Sequence, residues 1–318
     1  MTRHPCSLRR DAGARITFVL VMFVTLAPRL HAQCTCMGGA AVGGISPIAG
    51  TANVGLLEPA AWRIVGAYRF GSGEGYMRGD ARAEPGPVRY YRMHYTSLTA
   101  AHGVSDDLTL EAELGAYPSK SQDFGTMIVT GGGLSHVMLG AKYGVWRDDA
   151  RDVECTVGTG VRMPLTAGSA NLPQHILPST GAWGGSAQLL LRRGFPAHQA
   201  QFVFVHRSDV HARNASAYRY GPGFLTSLFG VAAVNNAITG VVELRHEYRM
   251  RDRFHDLSIA DSGGHLLVFS PQLGIAFGSL AFGFNVDLPV LRYYNGHQLA
   301  QDVAAGCTIT WQPTGGSH

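Results

Sequence analysis

The stretch AITGVVELRHEYRM, residues 237–250, places Glu243, Arg245, Glu247 and Arg249 on alternate positions. An extended strand points all four one way, and Val242, Leu244, His246 and Tyr248 the other. The apolar face needs a dry partner. That partner is either the core of a soluble sandwich or the lipid around a barrel whose lumen takes the charges, and the rest of the chain decides between them.

The N-terminus fixes the compartment. Residues 1–15 carry four Arg and one Asp, the apolar run ITFVLVMFVTLAP follows, and Leu30-His31-Ala32 makes a small-residue cleavage site. This is the layout of a secretory signal peptide, 1–32, and its apolar run is too short to span a bilayer. A lipoprotein with Cys34 acylated is the alternative, although Gln33 stands where a small residue is wanted. Without residues 1–32 the chain holds 21 basic and 21 acidic residues, so its apparent basicity is mostly the signal, and nucleic acid is not an expected partner. No later stretch reaches 18 consecutive apolar residues, which leaves a soluble secreted protein or a membrane β-barrel. The thiols left, Cys34, Cys36, Cys155 and Cys307, make no disulfide scaffold, and Cys34-Thr-Cys36 lacks a partner pair for metal. No metal or other cofactor is expected.

Glycine is abundant, helix signals are scarce, and alternation recurs. Twelve strands are predicted at 62–73, 88–102, 108–118, 133–147, 153–165, 181–193, 200–211, 219–233, 237–250, 265–277, 280–292 and 302–312. Each can cross a bilayer as a tilted strand of about 9–11 residues. Long connections (74–87, 119–132, 166–180, 212–218, 251–264, 293–301) alternate with short ones (103–107, 148–152, 194–199, 234–236, 278–279). An up-and-down barrel with tight turns at one end produces that pattern. In 108–117, Leu108, Leu110, Ala112 and Leu114 oppose Thr109, Glu111, Glu113 and Tyr117. In 281–290, Phe282, Phe284, Val286 and Leu288 oppose Asn285 and Asp287.

The expected fold is therefore all-β, a single up-and-down transmembrane β-barrel of about twelve antiparallel strands over 62–312. A flexible tail or plug (33–61) precedes it and a short tail (313–318) follows. Ten residues are expected to line the lumen: Glu111, Glu113, Lys142, Arg162, Arg207, Asp209, Glu243, Arg245, Glu247 and Arg249. They could equally ladder across strands and do no more than stiffen the barrel. A twelve-stranded barrel, however, is wider than the eight-stranded ones that side chains fill, so water, a plug or substrate must take up the difference.

Gly103, Val104, Asp106 and Leu108, then Gly133, Leu134, Leu139, Gly140, Lys142 and Tyr143, follow the spacing of a known pattern. The chain from about residue 60 onward resembles the outer-membrane barrels of the MetA-pathway of phenol degradation family. The resemblance implies an outer-membrane channel for small hydrophobic or aromatic compounds, with no catalytic residues. Outer-membrane lipid and the barrel-assembly machinery are then partners, although Trp311 is followed by QPTGGSH where many barrels end on an aromatic.

The enzyme alternative rests on His206 and Ser208, two apart on the face shared with Phe202 and Phe204. That is the placement of the His-x-Ser pair in an outer-membrane phospholipase A. That pattern continues with Asn-Gly, whereas Asp209-Val210 stands here, and Asn214 falls on a loop. A girdle His beside an interfacial Ser explains the pair without chemistry.

Overall fold

The computed structural model describes residues 55–166 and 176–313. The expected signal peptide, Cys34 and Cys36, most of the 33–61 segment, residues 167–175 and almost all of the C-terminal tail lie outside them. Twelve long strands run β1 (Trp62–Glu74), β2 (Tyr90–Ser105), β3 (Leu108–Asp123), β4 (Ile128–Asp148), β5 (Val153–Pro164) and β6 (Gly184–Phe195). They continue as β7 (Ala200–His211), β8 (Gly223–Ala233), β9 (Ile238–Arg249), β10 (Gly264–Phe277), β11 (Leu280–Leu299) and β12 (Val303–Trp311). Each pairs antiparallel with its sequence neighbours, and β12 pairs with β1 from Ile64↔Trp311 to Ser72↔Val303, which closes the ring.

The barrel solves the problem set by the alternating pattern. Leu139, Tyr143 and Val145 on β4, Phe284 on β11 and Ile309 on β12 are about half exposed on the outer face, while Lys142, Asn285 and Thr308 between them are buried. An apolar outer face over a polar interior inverts a soluble protein and fits a strand cylinder in lipid. On β9 the lipid side takes Val242, Leu244 and His246, and the charges point inward. No helix is long and apolar enough to cross a membrane among the described residues.

Long and short connections do not alternate throughout. The expected loops 119–132 and 293–301 are largely strand: β3 and β4 are separated by residues 124–127, and β11 and β12 by 300–302. The polar run after Pro118 reads as a loop, yet the strand continues through it, with Pro118 in a bulge where the register slips between Tyr117 and Lys120. A bulge accommodates a residue with no N–H to donate. At 21 residues, β4 is roughly 70 Å long, more than a tilted strand needs for an apolar band about 25 Å tall, so strands project beyond it at the loop end.

Both ends of the lumen are covered in part. At the loop end the hairpin of Tyr76–Gly79 and Ala81–Arg82 adds to β11 through Leu299↔Tyr76 and Gln298↔Met77. It buries Tyr76 and Met77 among Val88, Tyr91, Met93, Tyr294 and Leu299. At the turn end, residues 55–61 run past β2 and β3. The Leu57 N–H donates to Thr109 Oγ1 at 2.9 Å, and Ala60 and Gly103 exchange bonds across the segment (Ala60 N–H to Gly103 O, 2.8 Å; Gly103 N–H to Ala61 O, 3.0 Å). A Cβ on Gly103 would lie 2.0 Å from the Glu58 carbonyl oxygen, so glycine is required where the segment passes.

Candidate functional site: the lumen wall

Along one side of the lumen the charged row of β9 is saturated. Arg245 is 1% exposed, and its guanidinium donates to three carboxylates: Nε to Glu247 Oε1 (2.8 Å), Nη1 to Glu243 Oε2 (3.1 Å) and Nη2 to Asp287 Oδ2 (2.8 Å). Asp287 on β11 also accepts from Arg69 Nη2 (2.6 Å), Ser270 Oγ (2.7 Å) and Asn285 Nδ2 (2.8 Å). Glu243 takes Ser227 Oγ (2.7 Å) and Gln272 Nε2 (2.9 Å). Register makes this possible. Glu243 lies opposite Ser270, and the short serine lets Arg245 reach past β10 to β11. Ala304 and Gly306 on β12 leave room for Arg69 of β1 to meet Asp287 across the closing strand.

Arg249 carries this wall to the loop end. Its Nη2 meets Asp252 Oδ1 at 2.6 Å and its guanidinium carbon lies 5.1 Å from the Tyr220 ring centroid. Asp252 also accepts from the Gly221 N–H and from the Tyr218 hydroxyl. Burial and the neighbouring Asp252 carboxylate push the Tyr218 phenol well above its ordinary range.

The other side is paired two by two. Lys142 Nζ donates to Glu111 Oε1 at 2.7 Å. Glu113 Oε1 accepts from the Tyr95 hydroxyl (3.0 Å) and lies 3.2 Å from His136 Nε2. A bulge at Ser135 turns it inward beside His136, with Oγ and Nδ1 3.0 Å apart. Arg207 holds Asp209 of its own strand, with Nη2 to Oδ1 at 2.7 Å, and the Arg162 Nη1 lies 3.5 Å from His211 Nε2. A cavity of about 60 Å³ remains between Glu111, Glu113, Lys142 and Arg207, bordered by Gly140, Gly158 and Gly160. Toward the turn end Leu190, Val203, Val205, Phe229 and Val241 form an apolar patch inside the barrel. A second cavity of about 260 Å³ opens beside Val203, Val231 and Val241.

All ten residues singled out in the sequence point into the barrel, and the structure gathers them into these two groups. Arg69 and Asp287 were missed as members. Alternation in residues 281–290 already turns Asp287 inward, but no local signal brings it to Arg245 or to Arg69, 218 residues away. The aromatic cover from Tyr76 was also missed, since 74–87 reads as plain loop. His206 is turned to the lipid side and its Nδ1 meets Thr226 Oγ1 at 2.9 Å; no hydrogen bond joins it to Ser208 among the described residues. Asn214 is held in its loop by the Thr180 carbonyl (Nδ2 to O, 3.1 Å), away from both. Among the described residues no group of three or more His, Cys, Asp or Glu could hold a metal ion, and Cys155 and Cys307 are free thiols.

No family model matches the chain, and no curated protein matches it. Solved structures do. An outer membrane channel from Pseudomonas putida F1 aligns with a TM-score of 0.69 at 12% identity, over 80% of this chain and 96% of that one. The NanC porin aligns with a TM-score of 0.45 at 12% identity, over 79% and 99% of the two chains. The CymD monoaromatic hydrocarbon channel aligns with a TM-score of 0.40 at 12% identity, over 89% and 94%. The first likeness is one of fold, a barrel of this kind over nearly its whole length; the lower TM-scores of the other two add nothing to it.

Proposed function

We propose that this chain is an outer-membrane channel through which small hydrophobic or aromatic compounds pass without energy input. The observation that carries the reading is the pairing of the lumen charges. Arg245 and Arg69 meet Glu243, Glu247 and Asp287, Lys142 meets Glu111 and Arg207 meets Asp209, so each of these carboxylates has a cationic partner. A pore selective for ions of one sign concentrates one charge at its constriction. A wall of paired charges followed by Leu190, Val205 and Phe229 instead offers an uncharged, partly apolar solute a path without a trap. The resemblance noted from the sequence and the barrel fold agree with this. The route is lined by Glu111, Glu113, Lys142, Arg162, Arg207, Asp209, Glu243, Arg245, Glu247 and Arg249. The loop end faces outward, the five tight turns face the periplasm, and the barrel is inserted by the assembly machinery after secretion.

Conductance of the refolded protein in planar bilayers, paired with liposome swelling, tests this. Weak ion selectivity is expected, with faster entry of a neutral aromatic alcohol than of a carboxylate of equal size. Replacing Arg245 and Arg249 by Ala shifts the pore toward cations and changes uptake of the neutral solute far less. A strongly anion-selective wild-type pore, or exclusion of the neutral solute, overturns the reading. Epitope tags in 251–264 are readable on intact cells, and tags in 148–152 are silent.

A further inference from the structure

Above the saturated wall, on the outer surface of the loop end, three arginines meet no acid among the described residues. Arg219 and Arg253 stand directly opposite each other in a short antiparallel ribbon, and Arg253 stands opposite Ser258 on its other side. Directly opposed residues share a face with Cβ atoms about 5 Å apart, and like charges so placed destabilise the pairing. Arg251 joins them on the wall of a cavity of about 440 Å³ that also includes Ser258, Tyr248 and Asn295. All three arginines are exposed. The carboxylates of this loop are engaged elsewhere. Asp252 is buried against Arg249 and Tyr218, Asp256 pairs with Arg213, and Asp261 accepts the His297 N–H at 2.8 Å.

The cavity has a particular address. Tyr248 belongs both to its wall and to a row of rings on the lipid-facing surface, opposite Phe224 on one side and His265 on the other, with Tyr293 beyond. Centroids along this row are 5.9, 4.4 and 6.3 Å apart. Such a row marks the level where hydrocarbon meets headgroups. Guanidinium groups just above it, facing one another with the Ser258 hydroxyl beside Arg253, suit a phosphate that each can hold through paired N–H donors.

We propose that Arg219, Arg251 and Arg253 bind the phosphate groups of an outer-leaflet phosphoglycolipid whose acyl chains run down past Tyr248 and His265. The site rests on the reading that the loop end faces outside, and it is independent of what passes through the lumen.

The test is binding in detergent, which needs neither transport nor a given orientation in the membrane. Full-length protein is titrated with bisphosphorylated lipid A, the same lipid dephosphorylated, phosphatidylglycerol and inorganic phosphate, and complexes are read by native mass spectrometry. Wild type binds bisphosphorylated lipid A in preference to the other three. Arg219→Ala, Arg251→Ala and Arg253→Ala together weaken that complex on the order of a hundredfold, while heat-modifiable migration shows the barrel folded. Arg219→Gln with Arg253→Gln, which keeps the ribbon polar, weakens it to a smaller extent and serves if the triple variant fails to fold. Undiminished binding by either variant when folded overturns the proposal. So does equal binding of dephosphorylated lipid A or of phosphatidylglycerol, and so does competition by inorganic phosphate at matched phosphate concentration, which would mark a site for free anions.

Discussion

On one side of the lumen a single guanidinium meets three carboxylates, and one of these, Asp287, gathers two arginines, a serine and an asparagine. On the other side Lys142 meets one carboxylate, Arg207 meets another, and a cavity separates them. The two walls use the same residue types. They differ in what stands on the strands between. Ser270 and Ala304 are short enough to let charges from β1, β9 and β11 converge, and Ser270 also donates. Gly140, Gly158 and Gly160 on the opposite side donate nothing and leave space. Saturation of a barrel wall is thus set by the small residues between the charged ones as much as by the charges.

The sharpest way to break this comparison is Arg245→Ala. It takes the cationic partner from Glu243 and Glu247 in a buried site and leaves Asp287 with Arg69 alone, and removing one partner of a buried ion network costs about 3–5 kcal/mol. The denaturant midpoint in micelles should fall accordingly; a cost no greater than that of Lys142→Ala would erase the distinction between the walls. Lys142→Met alone leaves Glu111 beside the cavity and should cost about 1–3 kcal/mol. Lys142→Met with Glu111→Gln should recover most of that loss, since an apolar group replacing one member of a buried pair is often near neutral once the other is uncharged. Failure of the double variant to recover would show that the sparse wall is coupled after all. Gly158→Ala should be nearly silent in stability, within about 0.5 kcal/mol, because its Cβ would meet only ordinary contacts at 3.4 Å and beyond. It should still trim single-channel conductance by narrowing the cavity. The smallest effect concerns Tyr218, at the top of the saturated wall. Its pKa is raised in the fold, so its hydrogen bond to Asp252 contributes fully below the unfolded phenol value near 10 and is lost as pH rises above it. Hydrogen exchange in 214–222 should quicken above that pH in the wild type and show no such step in Tyr218→Phe.

The barrel was legible because a strand cylinder in lipid writes its two environments residue by residue. Leu110, Leu114, Phe284 and Ile309 had to face one medium, and Glu111, Asn285 and Thr308 another. The inward direction of the ten lumen residues follows from the same period. What alternation cannot carry is partnership across strands distant in sequence, so Arg69 and Asp287 stayed hidden as members of one network. Nor does it mark where strands stop beyond the membrane. Pro118 and Gly296 are turn residues by composition, yet one lies in a bulge and the other, at φ 81°, in a register slip beside Tyr294. The inward hairpin from Tyr76 was illegible for a related reason: its apolar side chains find partners only once β11 stands beside them.

The pair formed by Arg69 and Asp287 spans the seam where the first strand meets the last. Nine backbone pairings from Ile64↔Trp311 to Ser72↔Val303 close that seam, and none can form until the whole chain has been laid down. Contacts so distant in sequence form late, after the entropy of a very long loop has been lost. The ion pair fastens the seam from inside, reaching over Ala304 from β1 to β11, so it acts as a latch set in the final step of folding. A latch made after the rate-limiting barrier leaves the speed of closure almost untouched and slows reopening instead. Arg69→Ala would then fold at nearly the wild-type pace, and the barrel would come apart sooner once closed.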